Sequence, residues 1–109
     1  MKELLESRAA EVIKDFEVKS GINGLAFELR EKENYRKQKY YELVANVPSL
    51  ALGIMGNNMK NVQIIISLLK TSDNGIYYDA RFRYEYKDGG NNGMNVMTAD
   101  GSQPVRGII

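Results

Sequence analysis

The sequence predicts an α+β fold, with an amino-terminal amphipathic helix packed on an antiparallel sheet of about four to six strands. Two observations carry this. Apolar residues recur every three or four positions up to Ser20, and beyond Gly24 they alternate, in runs separated by turn residues such as Asn74-Gly75. At 109 residues the chain is expected to form a single domain over 1–109, long enough for one hydrophobic core.

Residues 1 to 20 read as the helix. Leu4, Leu5, Ala9, Val12, Ile13 and Phe16 share one side, and Glu3, Glu6, Glu11 and Lys14 the other. Ser20-Gly21 is the expected stop, because glycine adopts the left-handed conformation that ends many helices. Leu25, Phe27 and Leu29 then alternate with Ala26, Glu28 and Arg30, as in a half-buried strand. A turn through Glu33-Asn34-Tyr35 leads into a second strand from Lys37 to Val47, completing a hairpin. Pro48 to Lys60 reads as an irregular connection, since Gly53 and Gly56 weaken a helix. Val62 to Leu69 is nearly continuous in aliphatic residues, as expected for a central strand covered on both faces. Ser72-Asp73-Asn74-Gly75 signals a tight turn. In the returning strand, Ile76 to Tyr86, the residues Ile76, Tyr78, Ala80, Phe82, Tyr84 and Tyr86 alternate with Tyr77, Asp79, Arg81, Arg83 and Glu85. The remainder reads as loop-rich, with a short run from Met94 to Thr98 and a tail bearing Pro104 and Arg106.

Composition narrows the chemistry. Fifteen basic residues nearly cancel fourteen acidic ones, so no overall field draws the protein to nucleic-acid polymers or an anionic membrane. The acidic start of the helix does not suit a signal peptide, no apolar stretch is long enough to span a bilayer, and a cytoplasmic location is expected. With neither histidine nor cysteine, serine and cysteine triads, disulfides and the usual zinc ligand sets are unavailable. The residues favour binding over catalysis; no metal or cofactor is expected.

Three features have both a binding and a structural reading. Arg81 and Arg83 interleave an aromatic ladder that could hold a base and phosphates, or could be the solvated side of a core strand. Gly89-Gly90-Asn91-Asn92-Gly93 could present backbone amides to an anion, or could be an ordinary hairpin turn. Asn57 to Asn61 and the Arg106 tail could border a pocket or face solvent.

The run Tyr77-Tyr78-Asp79-Ala80-Arg81-Phe82-Arg83-Tyr84, followed by Gly90-Asn91-Asn92-Gly93-Met94-Asn95-Val96-Met97-Thr98-Ala99-Asp100-Gly101, resembles the phage family called Thoeris anti-defence protein 1. The resemblance implies a non-catalytic, oligomeric sponge in the host bacterial cytoplasm. It would capture a glycocyclic ADP-ribose signal, with Phe82 stacked on adenine and Asn92 bonded to the ribose-phosphate portion. Asn91, Arg81, Arg83 and Arg106 are further ligand-binding candidates, the arginines added on charge alone. Alternation places Arg81 and Arg83 opposite Phe82, so one pocket takes all three only if the strand bends or a second subunit contributes. Leu50, Leu52, Ile54 and Met55 are expected at a contact making at least a dimer. The alternative class is an inhibitor that covers a partner protein through exposed Tyr35, Tyr40, Tyr41 and Tyr77. A hydrolase of the same signal is a third, weaker reading.

Overall fold

A helix, α1, runs from Lys2 to Ser20 in the computed structural model, which describes residues 2–48 and 58–109. Leu5, Val12 and Phe16 are buried along one stripe, as their spacing requires. Gly21 ends the helix with a φ of 74°, and its amide donates to the Glu17 carbonyl at 2.9 Å. Gly24 also has positive φ, and its amide reaches the Glu17 carboxylate at 3.0 Å. The chain then turns across the core, where Phe27 meets Phe16 edge to face at 5.6 Å.

Among the described residues the six strands are β1 (Glu28–Glu33), β2 (Lys39–Asn46), β3 (Met59–Lys70), β4 (Ile76–Tyr86), β5 (Asn91–Asn95) and β6 (Arg106–Ile108). The first five pair antiparallel in chain order, and β6 pairs antiparallel with β4 beside β5. The long β4 therefore has two partners on one edge: β5 opposite Arg81 to Glu85, and β6 opposite Tyr77 to Asp79. The β3–β4 turn has Asn74 at φ 65°, and the Thr71 amide donates to the Gly75 carbonyl at 2.8 Å.

One side of the sheet meets α1. Tyr41 and Leu43 of β2, Ile64, Ile66 and Leu68 of β3, and Ile76, Tyr78 and Ala80 of β4 form the core with the helix stripe, extended by Val96 and Val105. A polar clamp fixes the helix on this apolar surface. The Tyr78 hydroxyl donates to Asp15 Oδ2 at 2.5 Å, and Lys19 Nζ sits 2.9 Å from the same oxygen and donates to the Arg106 carbonyl at 2.9 Å. Gly107 makes room for it, since a Cβ there would lie 2.5 Å from Lys19 Nζ. Burial, then the bond to Asp15, pushes the Tyr78 hydroxyl well above the usual phenol pKa. Partial burial pushes the Asp15 carboxyl up, but the hydrogen bonds from Tyr78 and Lys19 outweigh it and hold the pKa below the usual value.

Several expectations are corrected. The first strand begins at Glu28, later than the alternation suggests, because Leu25 and Phe27 pack on the core without joining the ladder. Among the described residues β3 has a helix over one side only; on the other Ile65 is half-buried and Leu69 is 63% exposed. Asn61, at φ 53°, marks an irregularity where the β3–β4 register shifts between Lys60 and Gln63. The tail is a strand, β6, completing the sheet edge. Most of the connection after Pro48, including Leu50, Leu52, Ile54 and Met55, lies outside the described residues. Among those described, no helix is long and apolar enough to cross a membrane.

Candidate functional site

Strand β4 divides the candidate residues between two surfaces. Successive side chains point to opposite sides of a sheet, and directly paired residues share a side. Tyr78, Phe82, Tyr84 and Tyr86 therefore lie on the α1 side, and Asp79, Arg81, Arg83 and Glu85 on the other side, which is helix-free among the described residues. The register carries the division to the neighbours. Tyr84 pairs with Asn92 and Phe82 with Met94, whereas Glu85 pairs with Asn91, Arg83 with Gly93 and Arg81 with Asn95. On β6, Arg106 pairs with Asp79. Phe82 and Asn92 thus share the α1 side, and Arg81, Arg83, Asn91 and Arg106 share the other.

On the α1 side, Phe82 is half-buried and packs against the edge of the core. Tyr84 is buried and meets Tyr86 edge to face at 5.4 Å. The Asn92 amide nitrogen donates to the Tyr86 hydroxyl at 3.2 Å, while its oxygen accepts the Gly93 amide at 2.8 Å. Hydrogen bonding to Tyr86, then burial, raises the Tyr84 pKa; the bonds from Asn92 and Tyr84 lower that of Tyr86. Met94, 42% exposed, lies opposite Phe82. An aromatic and thioether surface with a positioned amide and phenol can take a flat base and hydrogen-bond its polar edge. Tyr86 is the member missed in the sequence. Its place in the Phe82-x-Tyr84-x-Tyr86 alternation was the available signal.

On the helix-free side, a cleft of about 280 Å³ is lined by Glu42, Ile65, Ser67, Arg81, Phe82, Arg83 and Gly93. Phe82 contributes its backbone, since its side chain points to the other side. Among the described residues neither the Arg81 nor the Arg83 guanidinium has an ion-pair or hydrogen-bond partner. Of the carboxylates on this side, Glu85 accepts from the Asn61 amide at 2.8 Å, while Glu42 lines the cleft itself.

Two further expectations change. Asn91, Asn92 and Gly93 belong to β5 and not to an anion-cradling loop, so their backbones serve the ladder with β4. The turn is made by Gly89 and Gly90, at φ 102° and 89°. Tyr41 is buried at 7% exposure and donates its hydroxyl hydrogen to Glu31 at 3.0 Å, so it is not a surface contact; Tyr77 is half-buried, while Tyr35 is 88% and Tyr40 42% exposed. Among the described residues no group of three or more acidic side chains is placed to hold a metal ion. Comparison with known families, characterised proteins and solved structures returns no match.

Proposed function

We propose that this protein is a non-catalytic sponge that sequesters a glycocyclic ADP-ribose signal in the host bacterial cytoplasm, preventing activation of a Thoeris effector. The observation that supports this reading is the shared surface of Phe82 and Asn92. The resemblance gives these two residues the base and the ribose-phosphate portion, and they lie on adjacent strands, on one side of the sheet, with Tyr86 bonded to Asn92. Arg81, Arg83, Asn91 and Arg106 face away from that surface, so within one chain the binding residues are Phe82, Asn92 and Tyr86.

Capture of a scarce signal needs nanomolar affinity, about 12 kcal/mol, whereas one stacked base contributes about 1–3 kcal/mol. An open sheet surface supplies too little of the difference. A site closed by a second copy of the chain supplies more contacts and excludes water, so the sponge is at least a dimer. Ligand and assembly are then linked: saturating ligand raises the sedimentation coefficient at low micromolar protein.

The deciding experiment incubates the protein with a panel of cyclic ADP-ribose isomers, denatures it by heat and analyses the supernatant. Uptake followed by release of intact ligand is expected; altered ligand means a hydrolase. No uptake by a folded protein leaves the second reading, an inhibitor that covers a partner protein. One observation favours that rival: Tyr35 projects from the β1–β2 hairpin with the Arg36 guanidinium 5.4 Å from its ring, the residue pair enriched at protein interfaces.

A further inference from the structure

On the helix-free side of the sheet, two of the exposed cations stand next to each other. Arg81 and Arg83 are two residues apart on one strand, both exposed and both unpaired among the described residues, so their charges repel. The strand opposite places no side chain between them. Gly93 pairs with Arg83, and a Cβ on it would lie 3.1 Å from the Phe82 carbonyl oxygen and 3.8 Å from Arg81 Nη2. The Arg81 guanidinium therefore lies beside the gap that glycine leaves, toward Arg83. Ser67 adds a hydroxyl and Ile65 an apolar wall.

We propose that this cleft is a second binding site, separate from the Phe82–Asn92 surface, and that it takes one phosphate group. Two guanidinium forks can engage three oxygens and a double negative charge together, whereas a carboxylate, with two oxygens and one charge, satisfies a single fork. The surrounding charges set the size. Asp79 and Glu85 flank the arginines on β4 and Glu42 lines the cleft, with Arg106 opposite Asp79 and Lys60 opposite Glu85, so beyond the pair carboxylates interrupt the positive charge that a row of phosphates needs. The site suits inorganic phosphate or the terminal phosphate of a small molecule, and it disfavours a nucleic-acid strand. It does not depend on the sponge reading, which uses the other side of the sheet.

The test titrates ¹⁵N-labelled protein, in low salt, with inorganic phosphate, with adenosine 5′-monophosphate and with acetate. Phosphate should move the amide signals of Arg81 to Arg83 and Gly93 to Asn95, and acetate should bind more weakly. Arg81→Gln and Arg83→Gln should each weaken phosphate binding by about tenfold. Lys60→Gln and Asn92→Ala should leave it unchanged. Equal affinity for the two phosphates identifies free phosphate as sufficient; tighter binding of the nucleotide identifies a phosphorylated small molecule. No shift up to about 10 mM phosphate, an affinity unaffected by both arginine variants, or acetate binding as tightly as phosphate overturns the proposal. Loss of cyclic ADP-ribose uptake in Asn92→Ala with phosphate binding intact separates this site from the sponge surface.

Discussion

The two sides of the sheet carry similar alternating patterns but have different surroundings. On one, Ile64 and Ile66 are wholly buried beneath α1, and the polar groups under the helix, Tyr78, Asp15 and Lys19, satisfy one another. On the other, Ile65 is half-buried and the side chains of Arg81, Arg83 and Arg106 have no partner among the described residues. The difference teaches that aliphatic character alone does not say which side of a strand is core. Burial follows where α1 lands, and the arginines it leaves uncovered keep their charges free of a partner among the described residues.

The largest test of this contrast uses two neighbouring isoleucines. Ile66→Ala should cost about 2–5 kcal/mol in urea denaturation, as expected for a cavity in a packed core. Ile65→Ala should cost about 1 kcal/mol or less, because water and neighbouring side chains can fill the space. Equal losses would mean that the helix-free side is covered as well. Next comes Phe82→Ala, at the margin of the core. It should weaken ligand binding by about 1–3 kcal/mol. Its stability loss should stay below the roughly 3–5 kcal/mol of a fully buried phenylalanine. A destabilised variant with unchanged calorimetric affinity would remove Phe82 from the site.

The polar clamp sharpens the comparison further. Tyr78→Phe should cost about 0.5–1.5 kcal/mol near neutral pH, since Asp15 keeps Lys19 as a partner. The pH dependence has two arms. Tyr78 has a raised pKa, so its contribution is fully present below the unfolded value near 10 and is lost at higher pH as the hydroxyl ionises. Asp15 has a lowered pKa, so its contribution is present above the unfolded value and is lost as acid protonates it in the folded state. Chemical denaturation from pH 8 to 11 should show a steeper decline for the native chain than for Tyr78→Phe; parallel curves would contradict the clamp.

The smallest effect is expected in the exposed turn after β5. Asp100 accepts from the Thr98 hydroxyl at 2.6 Å and the Ser102 hydroxyl at 2.7 Å, bonds that hold its pKa down to about 2. Asp100→Ala should leave the global unfolding midpoint nearly unchanged while speeding exchange of the Ser102 amide, which donates to the same carboxylate. The protection of the Ser102 amide, taken relative to its intrinsic exchange rate, should also fall in the native protein as pH drops from 3.8 toward 2. Unchanged exchange in the variant would show that the turn stands without the carboxylate.

Much of this fold was legible in the sequence. The spacing of Leu5, Val12 and Phe16 marks the helix face, Asn74-Gly75 marks a hairpin, and the alternation from Ile76 to Tyr86 marks which of its residues share a side. That alternation also set Arg81 and Arg83 opposite Phe82, and the register agrees. The pairings of β5 and β6 were not legible. Asn91, Asn92 and Gly93 have turn propensities, and three residues of tail carry too little pattern to reveal a strand; both segments become strands because β4 offers a long edge of unpaired amides and carbonyls.

Local chemistry therefore determined the helix, the main strands and the orientation of each side chain within its strand, because periodicity is a property of consecutive residues. Tertiary structure alone decided which side of β3 the helix covers, that Asn92 rather than Asn91 joins Phe82, and that Lys19, Asp15 and Tyr78 meet across 63 residues of chain. Those outcomes depend on register and docking between distant segments, where a shift of one residue exchanges every inward side chain for its outward neighbour.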